Sequence, residues 1–250
     1  MAMSFFLRLF LGHLLGDFVL QPYWLVIAKR TGWPGLLIHV GVVTLVTAIL
    51  VWALFPVWWL WIIILYLGHL FIDQFRTFVF TDNSNGKGLL LLLLDQIAHL
   101  VLIGLLAWAA TGWQLADLPL LFSDNAPNQY RWIAYLSGLA IMVGVVPILE
   151  VEITVAVWAF QGRQVNETVS IDTSDRVLGS LERIGAALVI FSGYGLIAPL
   201  LFGPRLAYMI YRGQGQANPT AVTCKVVTSL VSTILISLIL LKIPFPQLNF

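Results

Sequence analysis

Apolar runs of helix length follow one another along this chain, and a run of that kind can satisfy its backbone amides in lipid by coiling into a helix. Reading about 17–25 apolar residues per crossing gives seven candidate spans: 3–22, 33–54, 57–80, 88–111, 131–160, 176–203 and 220–241. Composition agrees, because the chain is 60% hydrophobic and 10% charged, whereas soluble domains carry about 25% charged residues. The expectation is an all-α, polytopic helical membrane protein with about seven transmembrane helices. An integral protein of the bacterial inner membrane fits this pattern. The first run carries Arg8, His13 and Asp17 and lacks a small-residue cleavage site, so it reads as the first helix and not as a signal peptide.

Three function classes narrow at once. The net charge is +1 and there is no Lys/Arg run, so no nucleic-acid partner is expected. The single cysteine, Cys224, excludes an internal disulfide and a cysteine-based zinc site. Any metal must be held by nitrogen and oxygen. Turn-rich links follow the early spans: Pro22 with Lys29 and Arg30, then Phe55-Pro56, then Thr81 to Gly86. These suggest an antiparallel four-helix half over 1–112, a linker loop over 113–130 rich in Pro, Asp and Asn, and a three-helix half over 131–250 that a second polar loop, Gly162 to Asp175, interrupts.

All four histidines lie in apolar segments of the first 100 residues. His13 is paired with Asp17, His69 with Asp73 and Asp95 with His99, each at a spacing of four, while His39 stands without such a partner. An aspartate at the centre of a membrane helix costs on the order of 2.5–3.5 kcal/mol, so three of them demand compensation. Carboxylate and neutral imidazole are the ordinary ligands of Zn²⁺ and related ions. Depth strengthens the reading. Successive helices run in opposite directions, and the motif inverts from His-x-x-x-Asp to Asp-x-x-x-His between the third and fourth spans. At 1.5 Å rise per residue all seven groups fall about 8–16 Å below one membrane face, and i, i+4 partners share a helix face.

His13, Asp17, His39, His69, Asp73, Asp95 and His99 are therefore the candidate metal ligands, with His39 either a ligand or a proton donor. In the second half, Glu150 follows Pro147 at a matching depth and is a candidate ligand or general base; Glu152 points to another face. Glu182 beside Arg183 reads as a self-compensated ion pair. Gly12 and Gly16 form a small-xxx-small pair suited to close helix packing. The glutamines of Asp73-Gln74 and Asp95-Gln96 are candidate outer donors to the ligands.

The segments His13-Leu14-Leu15-Gly16-Asp17, His69-Leu70-Phe71-Ile72-Asp73 and Asp95-Gln96-Ile97-Ala98-His99, with Gly179-Ser180-Leu181-Glu182-Arg183 further on, resemble a bacterial and phage family of membrane proteins of unknown function, domain of unknown function 3307. The ordered set is also similar to the broader group of membrane-bound metal-dependent hydrolases. That resemblance implies that the His-x-x-x-Asp pairs are metal ligands.

Two functional classes follow. The first is a membrane-embedded metal-dependent hydrolase acting on a lipid or an amphiphilic ester or phosphoester, with a divalent metal, foremost Zn²⁺ with Mn or Fe as alternatives. Lys29, Arg30, Arg76 and Lys87 lie near the expected site, where they suit an anionic head group or record a cytoplasmic face. The second is a non-catalytic membrane binding or assembly protein that holds haem or another pigment, or binds or transports a metal. Haem needs axial histidines but no aspartate at i+4.

Overall fold

The computed structural model describes residues 1–79, 87–162, 173–212 and 218–247. Helix dominates it, and no strand occurs among the described residues. The elements are α1 (Ala2–Leu14), α2 (Tyr23–Thr31), α3 (Trp33–Val51), α4 (Trp58–Gln74), α5 (Lys87–Thr111), α6 (Asn128–Ala140), α7 (Val146–Phe160), α8 (Thr173–Phe191), α9 (Gly203–Arg212) and α10 (Pro219–Leu241). Turns of π-helix extend α1 over Leu15–Val19 and α4 over Phe75–Val79, and a third over Ile141–Val145 joins α6 to α7. Among the described residues, six helical stretches are long and apolar enough to cross a membrane: 2–19, 33–51, 58–79, 87–111, 128–160 and 219–241.

The expected span over 176–203 is corrected. Helix α8 is long enough, but Asp175, Arg176, Glu182 and Arg183 fall within it. It stops at Phe191, where Gly193 takes a φ of +84°, the left-handed conformation that closes helices. A 3-10 segment containing Pro199 runs from Gly195 to Phe202 before α9 begins. The expected loop at 81–86, and residues 163–172 of the loop expected from Gly162 to Asp175, lie outside the described residues; residues 173–175 belong to α8.

The chain divides into two compact units, one of residues 1–81, 91–140 and 242–250, the other of 82–90 and 141–241. In the first, α1 is the most enclosed of the candidate spans and packs on α3 and α6. Its approach to α3 is set by glycine: a Cβ at Gly12 would strike Thr47, and one at Gly16 would strike Val43. The small-xxx-small pair is thus a packing device, as expected. On α4, Gly68 leaves room for the Leu102 side chain of α5. The outward faces are apolar, with Leu67 and Phe71 on α4 and Leu94, Ile97 and Val101 on α5 all exposed, the arrangement a lipid environment favours. In the second unit α10 packs on α7 and α8.

Candidate metal centre

The histidines of the first unit and the aspartates on their helices gather in one place. From α1 come His13 and, from its π turn, Asp17; α3 supplies His39, α4 supplies His69 and Asp73, and α5 supplies Asp95 and His99. All are buried except Asp95, whose side chain is 11% exposed. Four of them, Asp17, His39, His69 and Asp73, offer ligand atoms within 4.8 Å of one another, and so do Asp73, Asp95 and His99. Six of the seven residues singled out from spacing therefore fall into these two groups, which share Asp73.

His39 sits at the centre. Its Nε2 is 2.9 Å from Asp17 Oδ1 and 3.0 Å from Asp73 Oδ2. His69 Nε2 is 3.5 Å from Asp73 Oδ2, and His99 Nε2 is 3.6 Å from Asp73 Oδ1. Ligands about 2.0–2.1 Å from a tetrahedral ion stand roughly 3.3 Å from one another, so these separations suit a shared cation.

Outer hydrogen bonds decide which atoms remain available. The amide orientation of Gln21 that satisfies its partners has Oε1 accepting from His39 Nδ1–H and from Lys29 Nζ, both at 3.1 Å, while Nε2 donates to the Asp17 carbonyl at 2.8 Å. His99 Nδ1–H donates to the Asp95 carbonyl at 2.9 Å. Gln96 accepts from His13 Nε2–H at 3.1 Å and donates to Asp95 Oδ2 at 3.0 Å. Each of these bonds fixes a tautomer or a carboxylate rotamer and turns the remaining lone pair inward. His13 Nδ1, Asp17 Oδ1, His69 Nε2, Asp73 Oδ2, Asp95 Oδ1 and His99 Nε2 are buried without a hydrogen-bond partner among the described residues. Asp17 Oδ1 and Asp73 Oδ2 lie close to His39 Nε2, but that contact lacks hydrogen-bond direction.

His13 stands slightly apart. It is in neither group, and its ring stacks on that of His99 with centroids 4.8 Å apart. Gln21 was not singled out by spacing, because it reaches His39 from the link before α2, whereas Lys29 was expected near the site and lies against it. Lys29 Nζ is 4.0 Å from Asp17 Oδ1 and 3.4 Å from His39 Nε2. Its helix α2 is pressed onto α3 where a Cβ on Gly35 would strike the backbone of Ala28. Three carboxylates against this one ammonium leave two negative charges uncompensated if the imidazoles are neutral.

The second unit holds a different cluster. Glu150, expected as ligand or base, accepts hydrogen bonds at Oε1 from Arg183 at 2.6 Å and at Oε2 from Arg205 at 2.6 Å. Both carboxylate oxygens of Glu150 are thus taken up by guanidinium groups. Glu182 does not pair with adjacent Arg183 as expected; it meets Arg205 at 2.8 Å, because consecutive residues point to different sides of a helix. Asp175 bonds Arg205 and Lys225 at 2.7 and 2.8 Å. These three carboxylates and three cations balance one another. Burial disfavours the charge on Asp175, but Arg205 and Lys225 outweigh it and hold the carboxyl below the usual range.

Residues 5–126 match the family model DUF3307, proteins of unknown function. The match takes in every His and Asp of the first cluster and stops before Glu150. Comparison with curated proteins and with solved structures gives no match.

Proposed function

We propose that the DUF3307 region is a membrane-embedded metal centre and that the protein is a metal-dependent hydrolase of an anionic amphiphile. The observation that carries the metal reading is the set of inward lone pairs. His99 and Asp95 each have one polar atom tied outward and the other buried without a partner, and His69 Nε2, Asp17 Oδ1 and Asp73 Oδ2 are unpartnered beside them. A buried network without a cation would leave those atoms desolvated at a cost of about 1–3 kcal/mol apiece. The residual double negative charge makes the same demand. A divalent ion there supplies Lewis acidity and lowers the pKa of a water bound to it; Zn²⁺, Mn²⁺ and Fe²⁺ all accept this ligand set.

The chain's own groups supply the rest. Asp17, His39, His69 and Asp73, with Asp95 and His99 grouped on Asp73 beside them, would hold the metal, and in this reading His39 is a ligand. His13 has an unpartnered Nδ1 beside His99 and is the proton acceptor. Lys29, half-buried above Asp17, binds the anionic head group. The short helix α2 that carries it exposes Tyr23 and Trp24, aromatic side chains of the kind that lodge at the membrane surface. An amphiphile entering from that surface meets Lys29 first. The resemblance of the His-x-x-x-Asp pairs to membrane-bound metal-dependent hydrolases supports the same class.

The test begins with elemental analysis of detergent-purified protein. Zinc, manganese or iron should be present at one equivalent or more, and Asp73→Asn or His39→Ala should remove most of it. Hydrolysis of phosphoester and carboxyl-ester lipids should then vanish with a chelator and return with metal. Protein that is metal-free and gains no thermal stability from added metal would sink the metal reading. Metal-replete protein inactive on both lipid classes would leave a metal-binding or assembly role.

A further inference from the structure

We propose that Asp73 is shared by two metal positions of unequal openness, and that the second is completed by a phosphate-type anion. The proposal rests on the metal reading above and goes on to the number of ions and the chemistry of the ligand. The two oxygens of Asp73 serve different partners. Oδ2 faces His39 and His69, at 3.0 and 3.5 Å, whereas Oδ1 faces His99 at 3.6 Å. One carboxylate with an oxygen turned to each of two ligand groups is the arrangement of a bridge.

The two groups differ in completeness. Asp17, His39, His69 and Asp73 provide four buried ligands, the closed set of a structural tetrahedral site. Asp73, Asp95 and His99 provide three, and Asp95 is the most exposed of the candidate ligands, so this group has the open position typical of catalytic sites. The unpartnered atoms Asp95 Oδ1 and His99 Nε2 are aimed there.

Charge then specifies the missing ligand. The three carboxylates and Lys29 leave two negative charges, which one divalent ion cancels. A second ion turns the buried cluster doubly positive, and in a low-dielectric interior that excess must be met by an anion. A phosphate oxyanion supplies oxygen to the open position, charge to the pair of ions and acceptors to Lys29. The first ion should therefore bind tightly by itself, and the second only weakly until phosphate is present.

The experiment is titration of chelator-stripped, detergent-purified full-length protein with Mn²⁺, with and without inorganic phosphate, followed by equilibrium dialysis and electron paramagnetic resonance. Two equivalents are expected. The first should give an isolated-ion spectrum, the second should convert it to an exchange-coupled one, and phosphate should tighten the second on the order of tenfold or more, within the usual range of coupling between ligands. Asp95→Asn should keep the first equivalent and lose the second, and Lys29→Met should lessen the effect of phosphate. If Asp95→Asn does not fold, His99→Gln makes the same separation. No binding at any ratio overturns the metal reading itself. Binding that stops at one equivalent, with or without phosphate, overturns this proposal and leaves the metal reading standing. Two magnetically independent ions overturn the bridge, and a second ion indifferent to phosphate overturns the anion.

Discussion

A histidine presents a defined lone pair only when its other nitrogen is held as a donor, so the residues behind the ligands matter as much as the ligands. Gln21 and Gln96 do this work for His39 and His13, and Gln96 also turns Asp95. Loss of such an outer bond costs 10- to 100-fold in metal affinity in known sites, and Gln21→Leu and Gln96→Leu are each expected to weaken metal binding by about that factor while leaving helix content unchanged, as competition with a chromogenic chelator and circular dichroism will show. Unchanged affinity in both would mean that the tautomers are set elsewhere. The His and Asp residues of the cluster were legible in the sequence because i, i+4 spacing puts them on one helix face. Their outer partners were only partly so. Gln96 is adjacent to Asp95, but Gln21, in the link before α2, and Lys29, on α2, reach His39 on α3. Glu182 and Arg183 misled for the same reason in reverse, since adjacency in sequence placed them against different partners.

At the scale of helices, the centre depends on how closely α1 approaches α3. Gly16 lies against Val43, one turn before His39 reaches Asp17. Gly16→Leu should force the helices apart at an overpacking cost of about 1–3 kcal/mol, lowering the thermal midpoint in detergent, and should release metal as well because Asp17 and His39 separate. A variant that melts early but keeps its metal would show that the spacing is structural only. The ends of the apolar spans were readable from hydropathy and turn residues. The break after α8 was not, because Gly193 and Pro199 sit inside an apolar run and act through backbone geometry. The start of α8 is anchored by Asp175 to Arg205 of α9 and Lys225 of α10. Its carboxyl is held below the usual range, so its contribution is complete above the unfolded value of about 3.9 and is lost as pH falls through the lower folded value. Asp175→Asn should be less stable than the parent at neutral pH, and the gap in unfolding temperature should close as the pH drops below that range. A gap that persists in strong acid would assign the effect to packing.

For the whole molecule, the question is which side of the membrane the centre opens to. Basic residues in short loops favour the cytoplasm. The face of the first unit that α1 and α4 run towards carries Lys29 and Arg30 on α2 and Arg76 in the π turn after α4. The opposite face of the same unit has Arg131, which is buried and donates to the Asp124 carbonyl at 2.5 Å. Arg205 and Lys225 belong to the buried ion network and do not count as loop charges. The centre is therefore expected to open to the cytoplasm, with Lys29 at its entrance. Cysteine labelling in a Cys224→Ser background checks this. Thr31→Cys, exposed at the end of α2, should resist an impermeant maleimide in intact cells and react after permeabilisation, whereas Asn125→Cys, exposed between α5 and α6, should react from outside. The opposite pattern would place the centre on the outer face, where an externally supplied amphiphile, and not one made in the cytoplasm, would be the ligand to test first.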